Sequence, residues 1–306
     1  MLRPPEYYLA INTGFALNRF SEPEEWTRII GDVCQVKFVQ FTADLLNPSL
    51  PAPIRQGQIR RILKCCSEKN IQITSCFTGA FTRVNHLAHP EREVQLYWIQ
   101  WFKDFVDQAV DLGAKSIGSH FGIFTQKDDS NPQLREVRRQ QNIENWHLIA
   151  LYAKEKGLQF ISWEPMSISR EQGETLESCD LLQKDVNQNA PLPFKIVIDV
   201  DHGDLSSPNP DDTDPYAWLL KFGSQSCQIH LKQSNGNKGG HWPFTKEYNA
   251  TGRIKPSQVL DVLRKVSQED TELILELSFR ERQPMDSQAE SAMKESADFW
   301  KGYVKR

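Results

Sequence analysis

Four residues set the chemical question: Glu164, Asp199, His230 and Glu276. Each closes a short apolar run, "LQFISWE" at 158–164, "FKIVID" at 194–199, "SCQIH" at 226–230 and "TELILE" at 271–276. Three carboxylates and an imidazole make a mixed oxygen and nitrogen donor set for one divalent cation, and Mn²⁺, Co²⁺, Mg²⁺ and Zn²⁺ all suit it. A lone acidic residue at a strand end is usually a helix cap or an ion-pair partner. That explanation weakens when four donor groups fall at four successive strand ends. In "IVIDVDH" the polar groups also follow an apolar run directly.

The elements that must position these groups alternate regularly. Four earlier strands are expected at 7–12, 36–41, 71–77 and 114–120, the last ending at His120 and the first at Asn12. Helices are expected from Ser21 to Ile30, Ile54 to Glu68, Pro90 to Leu112 and Arg135 to Lys156, with Gly157 as a C-cap. The second half continues with Glu174–Asn187, Pro215–Phe222, Pro256–Val266 and Gln288–Tyr303. Eight strand–helix pairs with mostly apolar strands predict a parallel sheet buried on both faces, and a single (β/α)8 TIM barrel over 1–306 is its simplest closure. A doubly wound sheet shares the rhythm, but no GxGxxG opens the first unit and no GxxxxGK[ST] occurs. The turn-rich stretch "GNKGGHWPFTKEYNATGR" at 236–253 then follows strand seven. In a barrel that is the catalytic face, so 232–255 is expected to be an active-site and phosphate-binding loop.

Composition narrows the partners. Net charge is −4, and no run of Lys and Arg suggests a nucleic-acid track. No apolar stretch approaches the length of a membrane span, and "MLRPPEYYLA" lacks the apolar core of a signal peptide. Six cysteines without CxxC spacing fit a reducing cytoplasm.

The chain resembles the xylose isomerase-like barrel superfamily of sugar isomerases and epimerases. The matching pieces are "WEP" at 163–165, "DVDH" at 199–202, "IHLK" at 229–232 and "LEL" at 275–277. Over about its full length it is similar to the tetrulose-phosphate 3-epimerases of bacterial erythritol breakdown. That likeness rests on "LAIN", "VQFTADLLNP", "FTGAFTRVNHLAHP", "HLKQSNGNKGGHWPF", "TGRI" and "LELSFRERQPMD". The resemblance implies one divalent cation, manganese first, held by Glu164, Asp199, His230 and Glu276, with His202 on the substrate. It implies a small sugar phosphate as substrate and a homodimer or homotetramer. Two positions depart from the ketose epimerase pattern. Arg170 stands where a substrate-binding Glu is usual, with Glu171 next, and Gly236 stands where an Arg is frequent.

Inverting C3 of a ketose requires removing the proton beside the C2 carbonyl. Glu164 and Glu276, from different strands, are the expected acid–base pair. His120 and Asn12 are expected to orient substrate hydroxyls. Lys232, Lys238, His241, Arg253, Arg280 and Arg282 are the candidates for a C1 phosphate, with the glycines of "NKGGH" allowing close approach of backbone amides. Arg83, Asn85 and His86 could reach the mouth or belong to a subunit interface. An aldose–ketose isomerase, an epimerase of unphosphorylated sugars and a non-catalytic sugar-binding barrel remain as alternatives on the same scaffold. An abasic-site endonuclease would need further histidines and a basic DNA track that the sequence lacks.

Overall fold

The structure, a computed structural model, describes residues 3–236 and 240–304. Eight parallel strands form a closed barrel in sequence order, with β8 returning to pair with β1. The strands are β1 (Tyr7–Asn12), β2 (Phe38–Thr42), β3 (Gln72–Phe77), β4 (Ser116–His120), β5 (Phe160–Glu164), β6 (Phe194–Asp199), β7 (Gln228–Leu231) and β8 (Thr271–Leu275). Around them run α1 (Pro23–Arg28), α2 (Ala52–Glu68), α3 (Arg92–Asp111), α4 (Gln126–Asp129), α5 (Pro132–Glu155), α6 (Leu176–Asn187), α7 (Pro215–Phe222), α8 (Lys246–Thr251), α9 (Pro256–Val266) and α10 (Met285–Lys301).

The expected (β/α)8 barrel is therefore the fold. β1, β6, α7 and α9 coincide with their expected ranges, whereas several other strands begin later. The reason is local. Val36, Ile71, Ala114 and Leu158 are apolar and buried, but their N–H groups donate back to Ile30, Cys66, Ala109 and Ala153 in the preceding helical segments. They cap helices and do not lengthen the ladder. Gly157 takes the positive φ of 93° that such a helix end requires. α1 is shorter than expected because Ile29–Val33 continues as a wider π-helical turn.

Position-specific chemistry places the strand ends. Asn131, Thr175 and Asp214 cap α5, α6 and α7 through their side chains, so these helices start immediately beyond their loops. In β4, a Cβ on Gly118 would lie 2.2 Å from the Phe77 ring, so only glycine lets that ring fold across the barrel interior. The ring then sits edge-on to His230, with centroids 5.1 Å apart. All six cysteines are buried and free, and burial raises their thiol pKa values. Among the described residues, no helix is long and apolar enough to cross a membrane.

Candidate metal centre and active site

Glu164 and Asp199 are the last residues of β5 and β6, His230 is next to last in β7, and Glu276 directly follows β8. The parallel register pairs Asp199 with His230, and His120 with Glu164, so these side chains leave the barrel at similar heights. One ligand atom from each of Glu164, Asp199, His230 and Glu276 falls within 4.8 Å of the other three. Nδ1 of His230 is 3.1 Å from Oε1 of Glu164 and 3.5 Å from Oε2 of Glu276. Lys232 is fully buried, with Nζ 2.8 Å from Oε2 of Glu276 and in contact with Oδ2 of Asp199.

Three carboxylates this close repel one another unless positive charge lies among them. Burial alone would raise Glu276, but Lys232 and His230 reverse this and hold it at about 2. Burial also opposes ionisation of Glu164, yet His230 and His202 keep it well below the usual carboxylate range. Asp199 goes the other way: burial raises it in spite of His202 and Lys232. His230, which burial alone would depress, is raised to about 9 by Glu276 and Glu164. Lys232 lowers His241 to about 4, with burial adding to the effect. The donor set, its depth and its spacing thus fit one divalent cation, which the four groups at the strand ends could hold.

The sequence profile of the xylose isomerase-like TIM barrel matches residues 34–303. The chain belongs to this family. It is 40% identical over 297 residues to the D-erythrulose 1-phosphate 3-epimerase of Brucella abortus, covering 97% of this chain and 96% of that one. A crystal structure from Rhodospirillum rubrum, provisionally named a xylose isomerase, superposes with a TM-score of 0.88 at 24% identity, over 98% of this chain and 100% of that one. The D-psicose 3-epimerase of Clostridium cellulolyticum shares the fold with a TM-score of 0.72 at 13% identity, over 98% of this chain and all of its own.

In this family member the mouth holds two adjoining cavities. The larger, about 510 Å³, is lined by Glu164, Glu276, His120, His202, His241, Arg83 and Arg280 among others. The smaller, about 240 Å³, is lined by Lys232, Arg253, Asp201, Ser167 and Gly236, and it shares His202 and His241 with the larger. The expected site residues divide between them. His202 hydrogen-bonds the Pro165 carbonyl through Nδ1 at 3.0 Å, leaving Nε2 3.4 Å from Asp199. His120 presents Nε2 to Glu164 Oε2 at 3.3 Å, while Arg83 lies 3.4 Å from its Nδ1. Arg253 bonds the Thr213 carbonyl and lies against Asp201 at 3.5 Å. Arg280 is exposed on the cleft wall, and Arg282 is exposed and lines neither cavity. Lys232 sits among the carboxylates rather than out on the loop. Asn12 is at the cleft, but both ends of its amide are engaged within the protein, at Gly14 N and at Gln40. Lys238 lies outside the described residues.

The segment after β7 is pinned at several points. Gln233 bridges to Trp242, Trp242 stacks on Tyr248 at 5.0 Å, and Phe244 is buried against Phe299 and Trp300 of α10. α8 lies within it, an element absent from the sequence reading.

Sequence reasoning passed over Gln40, left Arg83 open between the mouth and a subunit interface, and gave Glu171 only as the neighbour of Arg170. Gln40 Oε1 accepts from His230 Nε2 at 2.8 Å. A polar residue inside the apolar run "VKFVQF" was its only signal. Arg83 reaches the cleft and pairs with Glu171 at 3.3 Å. Arg170, at the departure from the ketose epimerase pattern, turns away to the Phe124 carbonyl, and its neighbour Glu171 is the carboxylate that faces the cleft residue Arg83.

Proposed function

We propose that this protein is a divalent-metal-dependent 3-epimerase of a tetrulose 1-phosphate, interconverting L-erythrulose 1-phosphate and D-erythrulose 1-phosphate. The observation that carries the reading is the pair Glu164 and Glu276. They arise from β5 and β8, line one cleft, and share a centre with Asp199 and His230. The 40% identity to the Brucella enzyme supports the choice of substrate.

A bound cation, Mn²⁺ in our reading, supplies Lewis acidity that makes the hydrogen beside the C2 carbonyl removable near neutral pH. The remaining work belongs to side chains. One glutamate, ionised, takes the C3 proton and leaves a planar enediolate. The other, carrying a proton, delivers it to the opposite face. After turnover the two have exchanged protonation states, so the reverse reaction starts from the second glutamate. His120 steadies Glu164 through Oε2. His202, anchored at Pro165, directs Nε2 toward the reacting end. The phosphate extends toward the smaller cavity, where Lys232 and Arg253 provide positive charge and His241, kept neutral by Lys232, offers a ring N–H.

The test is proton NMR in D₂O with L-erythrulose 1-phosphate, metal-supplemented enzyme and an E276Q control. Deuterium at C3 together with the D epimer, both abolished in the control, is the expected result. Absence of exchange with every added divalent metal would sink the assignment. Faster exchange on unphosphorylated ketoses would move the substrate to the free sugars.

A further inference from the structure

We propose that Asn12 and Gln40 form a buried relay that fixes the tautomer of His230 and so makes its Nδ1 the metal-facing atom. The inference rests on reading Glu164, Asp199, His230 and Glu276 as a metal centre.

The backbone N–H of Gly14 is a group that cannot reverse its role. It donates to Oδ1 of Asn12 at 2.7 Å. That bond fixes which end of the Asn12 amide is oxygen, so its NH₂ must point the other way. It points at Gln40, the direct register partner of Asn12 on β2, and donates to Oε1 at 2.7 Å. The orientation of the Gln40 amide is now fixed as well, because a reversed Gln40 would set NH₂ against NH₂. Oε1 of Gln40 has a second lone pair, and Nε2 of His230 lies 2.8 Å from it. An oxygen can only accept here, so Nε2 must carry a hydrogen. Nδ1 is then the atom that faces Glu164 and Glu276, at 3.1 and 3.5 Å.

A cost borne elsewhere supports the relay. Asn12, Gln40 and His230 are all buried, and Nε2 of Gln40 has no hydrogen-bond partner among the described residues. A buried orphan donor is uncommon and calls for a reason. Turning the amide would give that nitrogen partners only by taking the oxygen away from Asn12. Gln40 touches no other residue of the four-ligand centre by hydrogen bond, so it is a positioning residue acting through His230.

The relay predicts an effect opposite to simple electrostatics. Asn12→Asp keeps the size and the bond from Gly14 but presents an oxygen to Gln40. The Gln40 amide must then reverse and offer NH₂ to His230. Nε2 becomes an acceptor, and the ring hydrogen moves to Nδ1, where it blocks the cation. A negative charge added near a cation site ordinarily strengthens binding, whereas N12D is expected to weaken it.

The experiment is Mn²⁺ titration calorimetry of the metal-stripped full chain, wild type against N12D, Gln40→Met and Gln40→Glu. Histidine-selective ¹⁵N NMR of the Mg²⁺-loaded proteins reads the tautomer. Wild type is expected to show hydrogen on Nε2 of His230. N12D and Q40M should lose roughly 10–100-fold in affinity, while Q40E, which still accepts from both neighbours, stays close to wild type. Equal or tighter Mn²⁺ binding by folded N12D, or hydrogen on Nδ1 in loaded wild type, would overturn the relay. If N12D does not fold, Q40M against Q40E decides: equal affinity in the two ends the proposal. Failure of wild type to bind any divalent metal would instead remove the metal centre itself.

Discussion

One glutamate stands near the start of strand β8 and another directly after its end, and the two behave oppositely. Glu272 lies at the N-terminal end in a cavity of about 620 Å³, larger than either cavity at the catalytic mouth. Burial raises its pKa, and bonds from Thr74 and Gln228 do not reverse the rise. Glu276, four residues on, is half-buried, yet Lys232 and His230 pull it down to about 2. Cavity size therefore does not mark the chemistry here. At the N-terminal end charges are matched in separate pairs, Arg3 with Asp270 and Lys195 with Glu269. At the other end three carboxylates converge on one point, an arrangement a divalent cation suits far better than the apo protein does.

The sharpest way to break this comparison is to neutralise each glutamate in turn. E276Q should cost roughly 10²–10⁴-fold in kcat/KM for tetrulose phosphate epimerisation, since a proton-transfer group is lost. E272Q, at the far end of the same strand, should leave kcat/KM within about twofold, the scale of an isosteric change remote from the chemistry. Comparable losses in both variants would refute the division of the barrel into a reactive and a structural end.

A second effect is expected on stability. Among the described residues, Lys232 is the one buried ammonium lying among the carboxylates, and K232M removes it without much loss of volume. Breaking a buried pair in this way typically costs about 3–5 kcal/mol. Urea unfolding in chelator should reveal the loss, and added Mn²⁺ should recover much of it by binding the folded state. No metal-dependent recovery would mean that Lys232 does not share its electrostatic role with a cation.

How far the sequence foreshadowed this difference depends on the kind of information each feature carries. The barrel and the convergence of the four donor groups were legible because a strand-end position is a matter of period: apolar runs stop where donors begin. Gln40 was not, nor was the link from Asn12 through it to His230, since the partners of Gln40 lie 28 and 190 positions away along the chain and only barrel closure brings them together. Lys232 looked like a phosphate ligand because its neighbours are polar and glycine-rich. Its inward direction follows from β7 geometry that the sequence does not state. Phe244 falls inside the stretch expected to be an active-site loop, yet its ring lies in the contact with α10, a surface made by residues some fifty positions later.

The smallest effects separate the two ends by pH in the metal-free protein. His230 is raised in the folded state to about 9, so its contribution to stability is complete below its ordinary 6.5 and is lost as pH climbs through about 9. Glu276 is depressed to about 2, so its contribution is present above its ordinary 4.5 and is lost as pH falls toward 2. Glu272 has the reverse sign from Glu276: with a raised folded value, ionisation opposes folding, and its contribution improves as pH falls through the raised value. E272Q should therefore be slightly more stable than wild type at pH 7, with the advantage vanishing in acid, while E276Q should flatten the acid limb of the metal-free profile. Thermal melts in chelator across the pH range check both. If E272Q is less stable than wild type at neutral pH, the N-terminal carboxylate is ionised and paired after all, and the contrast along β8 fails at its quieter end.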